Sequence, residues 1–240
     1  VNGSSGLGDV VSVPDAGPLD LADPGEPEVA TLIARAAAAE DAALAVRGVS
    51  NSEGAEAGFG RSEVHLVTSA GFAGCYVRTS HSVSAAAVAG RGRDMQRDYD
   101  FSTTVHVADL EDAAAIGRSA GERAVARLNP RRPATARLPI VYDPRVAGSL
   151  LGHLAGAING AGVARGTTFL KDKLGGRVFA EGIDIHDDPR RVRGLRSRPF
   201  DAEGQPTTPR AVVADGVLTT WLLDLRSARQ LGLALSLIHI

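Results

Sequence analysis

The sequence is poor in the residues that small secreted folds and redox enzymes depend on. Of its 240 residues, one is Cys, one Met and one Trp, and aromatic side chains make up 4%. A lone Cys75 excludes an internal disulfide framework and fits a reducing compartment, so a cytoplasmic location is expected. No apolar run approaches the roughly 18 residues of a membrane span. The opening VNGSSGLGDV has neither the basic region nor the apolar core of a signal peptide, and it lacks an initiator Met, so the native N-terminus is expected further upstream. Charge of either sign is not in excess: 26 Lys and Arg stand against 28 Asp and Glu, net −2, which gives no reason to expect a nucleic-acid or membrane partner. There is no P-loop, no G-x-S-x-G elbow and no C-x-x-C pair.

What is present is a 44% hydrophobic composition, enough for a core, and one well-punctuated stretch, Asp143 to Gly166. Asp143 suits the N-cap and Pro144 the first helical position. Ala147, Leu150, Leu151, Leu154 and Ile158 recur at helical spacing and predict one apolar face. Gly148, Gly152, Gly156 and Gly160 recur every four residues beside it. Each costs a helix about 1 kcal/mol against Ala, so the stripe predicts a second backbone packed close against it.

The run SLLGHLAGAINGAGVARGTTFLKDKLGGRVFAEGIDIHDDP resembles the TldD/PmbA family, and the likeness extends over nearly the whole chain apart from its ends. The family has two types. The TldD type carries H-E-x-x-x-H on the corresponding helix and is a metallopeptidase. Here that place reads His153-Leu154-Ala155-Gly156-Ala157-Ile158, which resembles the PmbA (TldE) type, where the metal motif is absent.

The predicted fold is α+β: a central domain of strands and helices, then a mainly β C-terminal domain entered through the glycine-rich helix. Residues 1–26 read as a linker or the remnant of a preceding domain, 27–133 as the central domain and 134–234 as the first part of the C-terminal one. The tail LSLIHI, residues 235–240, reads as non-native, like a translated sequencing adapter.

Within this frame Glu26 to Val46 predicts a helix with Val29, Leu32, Ile33 and Ala36 inward, and Arg47 to Gly60 a turn-rich loop whose SEGA resembles a family signature. Glu63 to Ser69 and Phe72 to Gly90 predict strands around an Ala70-Gly71 turn. Met95 to Val107 predicts a third strand with Tyr99, Phe101, Thr103 and Val105 on one face. Small residues over Val83 to Ala89 leave room for something to lie against the sheet and equally suit ordinary tight packing. Asp109 to Leu128 predicts a helix capped by Asp109 and ended by NPRRP. Arg137 to Tyr142 and Arg177 to His186 predict strands, Arg210 to Asp224 a hairpin through a type I′ Asp215-Gly216 turn, and Ser227 to Gly232 a helix.

Four groups carry candidate chemistry. His153 is the helix's only imidazole, and a catalytic zinc needs about three protein ligands, so a structural His is expected. Asp184, His186 and Asp188 would share one strand face and are weak candidates for a divalent ion; a solvated strand end is the preferred reading. Asp201 and Glu203 in PFDAEG read as a turn rather than an acid–base pair, and the resemblance implies a structural role for that loop near a peptide cleft. Cys75 reads as core.

No complete catalytic constellation is visible in the residues. The resemblance implies a subunit without its own metal motif. It would pair with a TldD-type metallopeptidase that holds a metal ion, zinc by expectation, and would accept unfolded peptide in proteolysis or peptide maturation. Strand addition along exposed edges would suit such a ligand. The alternatives are an autonomous metallopeptidase and a non-enzymatic regulator of the DNA gyrase modulator kind.

Overall fold

The computed structural model describes residues 19–233; the 235–240 tail lies outside them. The fold is α+β. Helix α1 (Val29–Leu44) leads into a three-stranded antiparallel sheet, β1 (Val49–Val67), β2 (Ala73–Ala89) and β3 (Gln96–Thr104), ordered β1-β2-β3, and α2 (Ala113–Ala126) follows. An extended segment then reaches α3 (Pro144–Ala157) and α4 (Gly160–Ala164). A second antiparallel sheet, β4 (Ile185–Asp187), β5 (Arg210–Ala214) and β6 (Val217–Leu218), and α5 (Leu225–Leu231) complete the described chain.

The first layer is held by alanine. Along β2 alternate residues Thr79, His81, Val83, Ala85, Ala87 and Ala89 are buried, and the last four meet Ala39 and Ala43 of α1 and Ala113, Ile116, Ala120 and Ala124 of α2. The room predicted above Val83–Ala89 is thus filled by two helices. Their closeness depends on α2 rather than on the expected stripe: a Cβ on Gly117 would lie 1.9 Å from the Ala39 carbonyl oxygen, and one on Gly121 would lie 2.9 Å from that of Ala43. The inward face of α1 is therefore Ala39 and Ala43. Val29 and Ile33, expected inside, are 71% and 65% exposed, because the helix pair crosses further along α1.

Several sequence expectations are corrected. Residues 49–60 are strand, not loop: β1 pairs with β2 from Val49↔Ala89 to Val67↔Ala73, with two irregularities at which Ser50 and Glu53 lack a partner. A long partner with a regular ladder overrides the turn preference of Gly, Ser and Asn. The cap of α2 is Asp112, whose carboxylate accepts from Ala115 N at 2.9 Å; Asp109 instead accepts from Arg193. Residues 137–142 belong to no strand, and Cys75 is exposed on β2 rather than core. Leu19, Leu21 and Asp23, read as linker, are buried across the end of the sheet: Thr79 N donates to Leu21 O and Asp23 N to the Thr79 hydroxyl.

The 143–166 stretch is two helices. Asp143 caps the first as expected, accepting from Arg145 N at 3.0 Å, with Pro144 in the first turn. The helix stops at Ile158 because Leu222 inserts: Leu222 N donates to Ile158 O and Gly160 N to Leu222 O, while Asn159 caps the next helix at Ala161 N. Leu154 and Ile158 then pack with Val212, Leu218, Trp221 and Leu222 in the second core. Leu150 and Leu151, expected on the same buried face, are about half exposed.

In the second sheet β4 is short. Residues 177–183 wrap the β5–β6 turn instead of pairing as a strand: Val178 N donates to Gly216 O and Gly182 N to the Asp215 carboxylate. That turn has Asp215 at φ 47° and Gly216 at φ 76°, both left-handed, as a type I′ hairpin requires.

Candidate functional site

The two layers meet at α3, and a charge network sets the helix in place. The Arg145 guanidinium donates to Asp98 of β3 at 2.9 Å, to its own cap Asp143 at 3.1 Å and to the Tyr99 carbonyl, and lies 5.0 Å from the centre of the Tyr99 ring. Arg127 donates to the other oxygen of Asp98 at 2.6 Å, and Arg123 joins Asp143 at 2.8 Å and Asp100 at 3.5 Å. Burial alone would raise the Asp98 carboxyl, but hydrogen bonds from Arg145, Arg127 and the Tyr99 amide bring it down to about 2. Hydrogen bonds from the Arg145 side chain and amide hold Asp143 well below the ordinary carboxylate range.

A second contact joins the layers at the tip of the β1–β2 hairpin. Phe72 and Tyr76 stand edge-on to Phe200 with ring centres 5.0 and 5.2 Å apart. The PFDAEG loop is folded around Asp201, which is buried and accepts from Glu203 N at 2.9 Å and Gln205 N at 2.8 Å. Glu203 reaches over to accept from Leu225 N at the start of α5 at 2.9 Å. Both carboxylates are engaged with backbone amides, as the turn reading anticipated, and neither is placed beside a proton to move. Asp201→Ala is expected to free two amides and cost about 2 kcal/mol, while Asp201→Asn, which keeps one acceptor oxygen, costs less. Chemical denaturation of both variants checks the order.

A cavity of about 860 Å³ opens on one side of α3, lined by Leu150, His153, Gly156, Asn159, Arg165 and Phe169 among others. A narrower groove of about 260 Å³ lies on its other side, lined by Gly148, Leu151, Gly152, Ile185 and Asp187. The glycine stripe faces these openings. A Cβ on Gly148, Gly152 or Gly156 would have nothing within 4 Å; of the four, only Gly160 is tightly packed, where an added Cβ would fall 2.6 Å from a Leu223 methyl and 2.8 Å from the Ser227 Cβ. The expectation of a backbone packed against the whole stripe is therefore corrected: three of the four glycines leave the helix backbone bare at the cavity walls.

The sequence candidates for metal are not brought together. His153 is exposed on α3. Asp184 accepts from Asp215 N at 2.8 Å and Asp188 from Arg190 N at 3.0 Å, so both are turn-formers, and neither forms a ligand set with His186. Among the described residues no three His, Cys, Asp or Glu side chains could hold a metal ion. One imidazole falls short of the donor set of a catalytic zinc, so the residues of this helix do not fit that ion.

Sequence reasoning missed Asp187 and His81. Asp187 lines the narrower groove with a buried oxygen that lacks a hydrogen-bond partner, and burial pushes its carboxyl up. Only the two-residue alternation of a strand, with Ile185 and Asp187 inward, carries a hint of it. His81 is buried against Phe59, with Nε2 3.2 Å from Asp23; burial keeps its pKa low against the pull of that carboxylate.

The pattern of the PmbA/TldA metallopeptidase central domain matches residues 22–128, and that of the PmbA/TldA metallopeptidase C-terminal domain matches residues 135–236. The chain is 39% identical over 220 residues to Metalloprotease PmbA of Escherichia coli O157:H7, covering 91% of this chain and 49% of that protein. It is 30% identical over 221 residues to the Metalloprotease PmbA homolog of Haemophilus influenzae, covering 92% and 49%. Among solved structures, a Bacteroides thetaiotaomicron protein named as a modulator of DNA gyrase superposes with a TM-score of 0.86 at 26% identity, covering 92% of this chain and 51% of that one. TldE from Thermococcus kodakarensis superposes at 0.73 with 21% identity, covering 90% and 52%, a likeness of fold alone. The chain spans about half the length of these relatives. No helix among the described residues is long and apolar enough to cross a membrane.

Proposed function

The chain belongs to the PmbA/TldD metallopeptidase family, and we propose that it acts there as a PmbA/TldE-type subunit. In this reading it pairs with a TldD-type metallopeptidase and contributes a wall of the cleft that takes unfolded peptide, in proteolysis or peptide maturation, while the partner holds the metal ion. The supporting observation is the make-up of α3. At the places where the TldD type carries its Glu and second His, this chain has Leu154 and Ile158, and both are packed into the second core. Neither side chain can bind a metal or activate a water. What remains is shape: a helix whose glycines leave its backbone bare beside an 860 Å³ cavity, with His153, Asn159 and Arg165 among the polar groups that line it.

Three results are expected. The purified protein alone hydrolyses no unstructured peptide, adding it to a TldD-type partner raises chelator-sensitive cleavage, and that increase survives His153→Ala. Elemental analysis finds no stoichiometric zinc. Cleavage by this protein alone, a partner indifferent to it, or about one zinc per chain lost on His153→Ala would each overturn the reading. Capture of gyrase in place of a metallopeptidase in a pull-down would favour the regulator.

A further inference from the structure

A third cavity, of about 530 Å³, lies away from α3, between the end of β3 and the loop that follows β4; Thr103, Thr104 and Val105 form one side and residues 186–197 much of the other. That loop is arginine-dense, with Arg190, Arg191, Arg193, Arg196 and Arg198 in nine residues. Its backbone is pinned. Arg193 N donates to Leu19 O, Gly194 N to Arg191 O, Ser197 N to Gly194 O and Arg198 N to Pro189 O, and the Arg78 guanidinium holds Leu195 O. The Arg193 side chain is spent on Asp20 at 2.6 Å and Asp109 at 3.0 Å. Arg191 and Arg196 also line the cavity, are exposed, and have no ion pair or side-chain hydrogen bond to any described residue. Two arginines without a side-chain partner among the described residues therefore line one cavity from a pinned loop.

The strand opposite supplies backbone. β3 pairs only with β2 among the described residues. Its outer edge is blunted in the middle, where the amides of Tyr99 and Phe101 are taken by the carboxylates of Asp98 and Asp100 and the Tyr99 carbonyl by Arg145. Alternation puts the Thr103 amide and carbonyl on the same open side with no such cover. Strand addition is thus confined to the end of β3 that borders the cavity, which narrows the edge binding expected from the sequence.

We propose that this groove binds an acidic peptide segment, with side-chain carboxylates taken by Arg191 and Arg196 and the peptide backbone laid against Thr103. Guanidinium forks match planar carboxylates two bonds at a time. A more highly charged polyanion fits less well, since Asp109 and Asp188 also line the cavity and the whole chain carries net −2. The site stands apart from the α3 cavity, so it is tested without any metallopeptidase partner and holds whether or not the proposed subunit role does.

The experiment is fluorescence anisotropy on the intact protein with a labelled extended peptide carrying several Glu residues, and with its Glu-to-Gln counterpart. The Glu peptide is expected to bind at least about tenfold more tightly than the Gln peptide, the affinity to fall with salt, and the doubly substituted Arg191→Gln, Arg196→Gln protein to lose that preference. Arg61→Gln, an exposed cation on β1 outside the groove, should bind as the parent does. A double charge reversal, Arg191→Glu with Arg196→Glu, should abolish binding while the far-ultraviolet circular dichroism stays that of the parent. Equal binding of the two peptides would overturn the proposal, as would a double variant that still discriminates between them or a groove that prefers inorganic phosphate to the Glu peptide.

Discussion

Arg145→Ala should lower the melting temperature by roughly 6–12 °C, the equivalent of about 3 kcal/mol in a chain of this size. The side chain is mostly buried, and its removal leaves Asp98, 6% exposed, with Arg127 and the Tyr99 amide as its remaining partners. Asp143 loses one of its two arginines and Tyr99 its stacked cation. Arg145→Lys should not restore the loss, because one ammonium cannot span Asp98 and Asp143 and also lie over the ring. The acid limb of stability has a definite sign. Asp98 has a folded pKa of about 2 against an ordinary 3.8, so its carboxylate favours the folded state above 3.8, and that contribution of about 2 kcal/mol is lost as the pH falls from 3.8 toward 2. In Arg145→Ala the folded pKa moves back toward 3.8, so less stability is lost over that interval. Thermal melts of parent and variant between neutral pH and pH 2 test both statements. A variant that melts with the parent at neutral pH would show that the network does not hold α3 to the first sheet.

Much of this architecture is legible in the sequence where local chemistry and tertiary packing agree. Asp143 and Pro144 start α3, Asp215-Gly216 turns the second hairpin, and Ala70-Gly71 turns the first, with Gly71 at φ 89°. The SEGA stretch shows the opposite case. Ser52, Glu53, Gly54 and Ala55 look like turn residues, yet Ser52, Gly54 and Ala55 pair with Ala87, Ala86 and Ala85 and only Glu53 bulges from the ladder, so pairing decides. The end of α3 was hidden for a related reason: Asn159 is an ordinary residue in a helical pattern until Leu222, far along the chain, bonds on either side of it. At the candidate sites, the engagement of Asp201 could be foreseen from turn chemistry. The inward turn of Asp187 and the gathering of Asp98, Arg127 and Arg145 depend on register and on contacts between the layers, and no local pattern announces them.

The largest contrast is expected between two glycines that look alike in sequence. The four-residue glycine spacing marks α3 in the sequence, but the close approach lies on α2, where Gly117 and Gly121 have the same spacing among alanines. A methyl at Gly117 would fall 1.9 Å from a backbone oxygen of α1. No rotamer change relieves a clash with a carbonyl, so α1 must move off α2, and the alanine core on which both helices rest opens with it. Gly117→Ala should therefore cost about 3 kcal/mol or more, the upper end of overpacking, despite the better helix propensity of Ala. Gly156→Ala meets nothing within 4 Å and should instead stabilise by roughly 0.5–1 kcal/mol, since only the propensity term remains. Urea denaturation of the two variants, read at equal denaturant slope, measures the difference directly. A Gly117→Ala protein as stable as the parent would mean that α1 and α2 do not touch at Ala39, and a destabilised Gly156→Ala would mean that the wall of the α3 cavity is occupied by another part of the fold.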